Sequence, residues 1–219
     1  MKQMMSVVCF SFITLCLVAC SFSNKKSSES IVSLESDWVM PLSSEQMEEL
    51  NEYFKALTVT HFGNYEKGDD CSLQLLNFSS QLIQLDYPAM VEPMWRDEEA
   101  YVSFDKKMIM ALIEQYFNEE IEITGIYSDL GDYIVRPEIA FKSESVYPEF
   151  HQCQLNEDGT YTIDFNLYEL DEEKTDEIRL SKNWSQSVNC KQVGVASATI
   201  QHDEDESYVL SYHPIYFDE

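Results

Sequence analysis

The sequence predicts an α+β fold, with N-terminal helices packed on a curved antiparallel sheet of about four strands. Two periodicities carry this expectation. Apolar residues recur at helical spacing between Ser43 and Phe117, and from Tyr133 onward they alternate with polar ones. Length bounds it, since 219 residues hold one medium domain or two very small ones.

The first helix is expected to begin near Ser43 or Ser44. Ser43-Ser44-Glu45-Gln46 fits a capping box, with a hydroxyl at the N-cap and an amide three residues on. Met47, Leu50, Phe54 and Leu57 then form one apolar stripe, and Thr58-Val59-Thr60 with Gly63 ends it. A second helix follows Asp69-Asp70, either of which can cap it. Leu75, Leu76, Leu82, Ile83 and Leu85 give it a broad buried face. Tyr87-Pro88 stops it, because proline steers its predecessor away from helical angles. Met90 to Tyr101 reads as irregular. Ser103 is expected to cap a third helix, with Asp105 in its first turn and Met108, Ile109, Leu112, Ile113, Tyr116 and Phe117 on its apolar side.

Tyr161, Ile163, Phe165 and Leu167 alternate with Thr160, Thr162, Asp164 and Asn166, the pattern of a half-buried antiparallel strand. Asn156-Glu157-Asp158-Gly159 supplies the hairpin turn before it, and Phe150 to Leu155 its partner. Val193 to Ile200 and Tyr208 to Tyr216 predict a second hairpin, with Pro214 marking an edge. Ile134 to Lys142 is a further strand candidate interrupted at Pro137, and Asp171 to Glu177 an acidic loop.

Composition excludes some functions. Forty acidic residues face 14 Lys plus Arg, a formal net charge of −26. Nucleic acid is excluded as a partner, because binding its phosphates requires basic side chains to displace counterions. Such a charge favours cationic partners over anionic surfaces, but the preferred reading is simple colloidal stability outside the cell. A hydrophobic share of 44% excludes a disordered acidic tail.

The first twenty residues follow another logic. After Lys2, an almost uncharged apolar run extends from Met4 to Ala19. As a helix it spans about 24 Å, short of the roughly 30 Å of a bilayer core. A basic start, a short apolar run and small residues at a cut site describe a secretory signal peptide. Leu17-Val18-Ala19-Cys20 resembles the lipobox of bacterial lipoproteins. The resemblance implies cleavage between Ala19 and Cys20, a diacylglyceryl thioether on the Cys20 Sγ, palmitate in the anchor, and an extracytoplasmic protein held to the cell membrane by lipid. Two acyl chains anchor stably, since each buried CH₂ contributes about 0.8 kcal/mol. The expected organisation is a signal peptide over 1–19, a lipidated cysteine and polar Ser-rich tether over 20–42, and one acidic α+β domain over 43–219.

Cleavage removes Cys9 and Cys16, and lipidation consumes Cys20, leaving Cys71, Cys153 and Cys190. Cys153 and Cys190 lie in strand-like runs and make the best disulfide pair; the alternative is that all three are small buried residues.

Helices grouped before strands resemble nuclear-transport-factor-2-like and cystatin-like exported lipoproteins, over about residues 43–219. That resemblance implies a conical pocket between helices and sheet, but brings no catalytic residue. No motif in the sequence names a reaction. Ser103-Phe104-Asp105-Lys106 is an S-x-x-K without the companion elements of a penicillin-binding protein, so Ser103 reads as a helix cap. His61, His151, His202 and His213 are scattered singly. His202 precedes four acids, a weak cation candidate that reads better as a solvated loop. No metal or cofactor is expected. Asn77-Phe78-Ser79 and Asn183-Trp184-Ser185 are sequons without meaning behind a bacterial lipobox. Trp38, Trp95 and Trp184 suit either packing or a carbohydrate or peptide surface. The expectation is therefore a lipid-anchored binding or scaffold domain. The alternative is a small hydrolase or isomerase with a buried pocket carboxylate near a His or Tyr.

Overall fold

The computed structural model describes residues 40–139, 146–170, 190–202 and 207–217. The chain is α+β. Its elements run α1 (Ser44–Val59), β1 (Tyr65–Glu66), α2 (Ser72–Asp86), β2 (Glu92–Arg96), β3 (Glu99–Asp105), α3 (Lys106–Phe117), β4 (Ser128–Asp129), β5 (Tyr133–Pro137), β6 (Val146–Leu155), β7 (Tyr161–Leu170), β8 (Cys190–His202) and β9 (Ser207–Tyr216). In place of the single expected sheet of about four strands there are two antiparallel sheets. One has the order β1-β9-β8-β7-β6 and the other β2-β3-β5-β4.

The first helix starts as its sequence dictates. Ser43 Oγ accepts from Gln46 N at 3.2 Å while Gln46 Oε1 accepts from Ser43 N at 2.9 Å, a complete capping box. Its end differs from expectation. His61, not Gly63, takes the left-handed conformation at φ 49°, and Phe62 N donates to Leu57 O at 2.9 Å. Together with the bond from His61 N to Thr58 O, this is a Schellman cap, which reverses the chain and turns Phe62 back toward the helix. Phe62 is buried.

Two further helix starts depart from the sequence reading. Cys71, rather than Asp69 or Asp70, precedes α2, and it makes no side-chain cap bond. Ser103 lies inside β3, where its Oγ donates to Glu92 O at 3.3 Å, and Asp105 is the N-cap of α3. Asp105 Oδ1 accepts from Lys107 N at 2.8 Å and Met108 N at 3.3 Å, so β3 passes into α3 without a loop. The stretch read as irregular is the β2–β3 hairpin, turned by Asp97 and Glu98 at φ 51° and 69°. Two left-handed residues make the reversal that Asn-Gly usually makes.

In the five-stranded sheet, Ile163, Phe165 and Leu167 face the helices, next to Ala196, Ala198 and Ile200 of β8 and Tyr212 of β9. The alanines leave room for ring-bearing neighbours. The Phe54 and Phe165 rings meet at 4.4 Å between centroids, joining α1 to β7, and Tyr53 stacks on Tyr116 of α3 at 4.8 Å. Asn51 Oδ1 accepts from Phe150 N at 2.7 Å, so α1 satisfies a backbone donor of edge strand β6 beside its bulge. Pro93 and Pro148 stand on edge strands β2 and β6, which blunts those margins against further pairing, and Pro214 lies on β9 past its short pairing with β1. Between Leu167 and Tyr168 the β7–β8 register slips by one residue, next to Gly194. A Cβ on Gly194 would lie 2.5 Å from Ile215 O, so only glycine lets β9 close there.

Two outcomes follow. Gly194→Ala should lower stability by about 1–3 kcal/mol, read as a fall in the urea midpoint. His61→Gly should raise it by about 1 kcal/mol, because glycine holds the left-handed C′ conformation without strain.

Candidate functional site

Among the described residues, those singled out by sequence are not brought together. Ala19 and Cys20 lie outside the described residues, as do Trp38, Asn183, Trp184, the loop 171–177 and the acids 203–206. Cys153 pairs with Ile163 and Cys190 with Leu170, at opposite ends of β7. That puts about 23 Å of strand between them, whereas bridged cysteines have Cα atoms less than about 7 Å apart. The expected disulfide is thus corrected: Cys71, Cys153 and Cys190 are free thiols. Burial pushes the Cys153 thiol up to about 11. It also raises that of Cys71, helped by the nearby Asp69 and Glu119 carboxylates. Both are therefore protonated, weak nucleophiles at neutral pH.

Lys106, the second half of the S-x-x-K, pairs with Asp129 of β4. The lysine holds the Asp129 carboxyl below its ordinary value, with help from the Gly131 amide. His202 Nδ1 lies 2.6 Å from Ser207 Oγ, across the first rung of the β8–β9 hairpin. Among the described residues, no cluster of three or more His, Cys, Asp or Glu is arranged to hold a metal. Ser79 of the first sequon is fully buried within α2 and donates to Leu75 O at 2.7 Å.

A different cluster lies between α2 and the four-stranded sheet, and the sequence did not announce it. Asn77, Ser80 and Gln84 recur at three- and four-residue spacing along one side of α2. The Tyr127 hydroxyl lies 2.7 Å from Ser80 Oγ and donates to Asn77 Oδ1 at 2.9 Å. Gln84 Oε1 accepts from Arg136 Nη2 at 2.6 Å. Arg136 is 0% exposed and is the largest fully buried side chain. Its Nη1 donates to Pro137 O at 2.9 Å, and its guanidinium lies over the Phe104 ring, 5.5 Å from the centroid. Burial lowers the Arg136 pKa from its ordinary value, against smaller upward contributions from Tyr127 and Glu138. An arginine remains charged under such a shift. The cluster therefore ties β5 and the Tyr127 turn to α2 through charge-assisted and neutral hydrogen bonds.

Beyond Arg136, the same face of this sheet opens to solvent. Alternation places Trp95 of β2, Ala100 of β3 and Glu138, just past β5, in one row across three strands. Trp95 is paired with Ala100, and Glu138 N donates to Ala100 O at 2.9 Å. Trp95 is 75% exposed, and Glu138 is exposed as well.

Arg136→Ala should cost about 2–4 kcal/mol of stability, since it leaves a cavity and removes the partner of Gln84. Arg136→Met, which keeps most of the volume, should cost less. Urea unfolding of the two variants checks the order. The chain matches no family model, no curated protein and no solved structure.

Proposed function

We propose that this protein is a lipid-anchored, extracytoplasmic binding or scaffold protein of a bacterial cell membrane. One observation carries the reading: Leu17-Val18-Ala19-Cys20 ends an apolar run too short to be a comfortable membrane span. Cys20 is the acylated residue and Ala19 the last residue of the signal peptide. Residues 20–42 then tether the acidic domain above the headgroups. In this reading the helices lie against a curved antiparallel sheet, as in small exported domains of nuclear-transport-factor-2-like and cystatin-like shape.

Binding is preferred to catalysis on the chemistry of the interior. Where a conical pocket would lie, the rings of Phe54, Phe62, Phe78, Tyr116, Phe117 and Phe165 are buried. Among the described residues, every Asp and Glu keeps some exposure, whereas a pocket acid or base needs a carboxyl shifted by burial. Among the described residues, no helix is long and apolar enough to cross a membrane.

Labelling cells with radioactive palmitate tests the anchor. Label should enter the wild-type protein and disappear from Cys20→Ala. Label retained by that variant refutes the assignment.

A further inference from the structure

We infer that the Trp95–Ala100–Glu138 row is a docking site for a cationic side chain, arginine above all, presented by a basic peptide. This deepens the binding reading above, but the site does not depend on the anchor.

Trp95, Ala100 and Glu138 sit on neighbouring strands at one level, their side chains on the face that carries Val102 and Arg136. Adjacent strands are about 4.8 Å apart, so the indole and the carboxylate rise from columns roughly 10 Å apart. Ala100 between them has only a methyl group. The row is thus an aromatic wall, a low floor and an acidic wall. A cation above Ala100 lies about 5 Å from each column, within the roughly 6 Å over which an indole attracts a cation. A planar guanidinium can stack on Trp95 and present its N–H edge to Glu138.

Exposure and charge select this occupant. Trp95 at 75% is the most exposed of the large hydrophobic side chains among the described residues, and an exposed tryptophan is a frequent anchor of interfaces. The turn at the end of the hairpin adds Asp97 and Glu98, both exposed. The whole chain carries −26. Two local cations oppose the field weakly. Arg96 is on the other face of β2 and pairs with Asp97 at 3.7 Å. Arg136 is buried and turned toward Gln84 and Phe104. An anionic partner would meet the carboxylates first, and a neutral sugar would make no use of the exposed Glu138 charge, which also acts on the buried Arg136.

Isothermal titration of the full chain in detergent micelles with a hexa-arginine peptide tests the proposal, with cellohexaose as the neutral comparison. Hexa-arginine should bind, and more weakly as salt rises. Trp95→Ala should weaken binding about tenfold and Glu138→Gln about threefold, while Trp95→Phe retains part of the affinity. Ala100→Leu, which fills the floor without changing charge, should weaken binding as strongly as Trp95→Ala. Glu45→Gln, an equal charge change on α1, should leave it unaltered. Wild-type affinity in Trp95→Ala and Ala100→Leu overturns the site, as does a preference for cellohexaose or the absence of hexa-arginine binding. An equal loss in Glu45→Gln and Glu138→Gln also overturns it, since diffuse charge would then suffice. None of these readouts depends on acylation, so failure here and failure of palmitate labelling are separate results.

Discussion

The ring of Phe62 touches those of Phe117 at 5.0 Å, Phe78 at 5.5 Å, Tyr65 at 5.8 Å and Tyr212 at 6.1 Å. One side chain thereby joins α2, α3, β1 and β9. It reaches them because the Schellman cap of α1 reverses the chain one residue earlier, with His61 in a conformation that L-residues adopt at a cost. Aromatic pairs contribute about 0.5–1.5 kcal/mol beyond the area they bury. A ring with four such neighbours therefore fixes the relative placement of the helices and this end of the sheet. The Tyr212 hydroxyl is buried beside this cluster, and the Tyr65 hydroxyl donates to Glu119 Oε1 at 3.3 Å; the pKa values of both are raised, chiefly by burial and for Tyr65 also by Glu119. Lys67, one residue past β1, donates to Phe117 O at 2.7 Å at the end of α3, closing the cluster from outside.

At that end the helices and the five-stranded sheet meet through aromatic rings. The Arg136 cluster and Trp95 lie on the four-stranded sheet. There the Arg136 cluster joins β5 to α2, and the hairpin of β2 and β3 carries Trp95 outward. The core supplies rigidity, the polar cluster orients the second sheet, and the proposed docking row sits at that sheet's margin.

Much of the architecture is readable in the sequence. The three helices declare themselves through long apolar stripes, β6 and β7 through the Asp158-Gly159 turn and the alternation after it, and β8 and β9 as a second pair of strand-like runs. The second sheet does not. Its β2–β3 turn is Asp97-Glu98, without glycine, and Pro93 reads as a strand breaker although it sits on an edge that tolerates it. Ser103 resembles a helix cap because serine is a good one; β3 instead runs on to Asp105, whose carboxylate takes the cap. Strand-like surroundings suggested a Cys153–Cys190 bridge, but such patterns do not reveal which end of a sheet a residue occupies. Asn77, Ser80 and Gln84 look like a solvated helix side, and Arg136 like a surface strand residue. Only tertiary packing brings α2 against the Tyr127 turn and β5, forming the Tyr127–Ser80–Asn77 and Arg136–Gln84 hydrogen bonds.

The lipid-anchor proposal stands on the Cys20 sulfur, and the mass of the first proteolytic peptide of the membrane-extracted protein tests it most directly. The account predicts a peptide beginning at Cys20 and heavier by a diacylglyceryl group. A peptide that begins at Met1, or an unmodified cysteine at the new terminus, contradicts it.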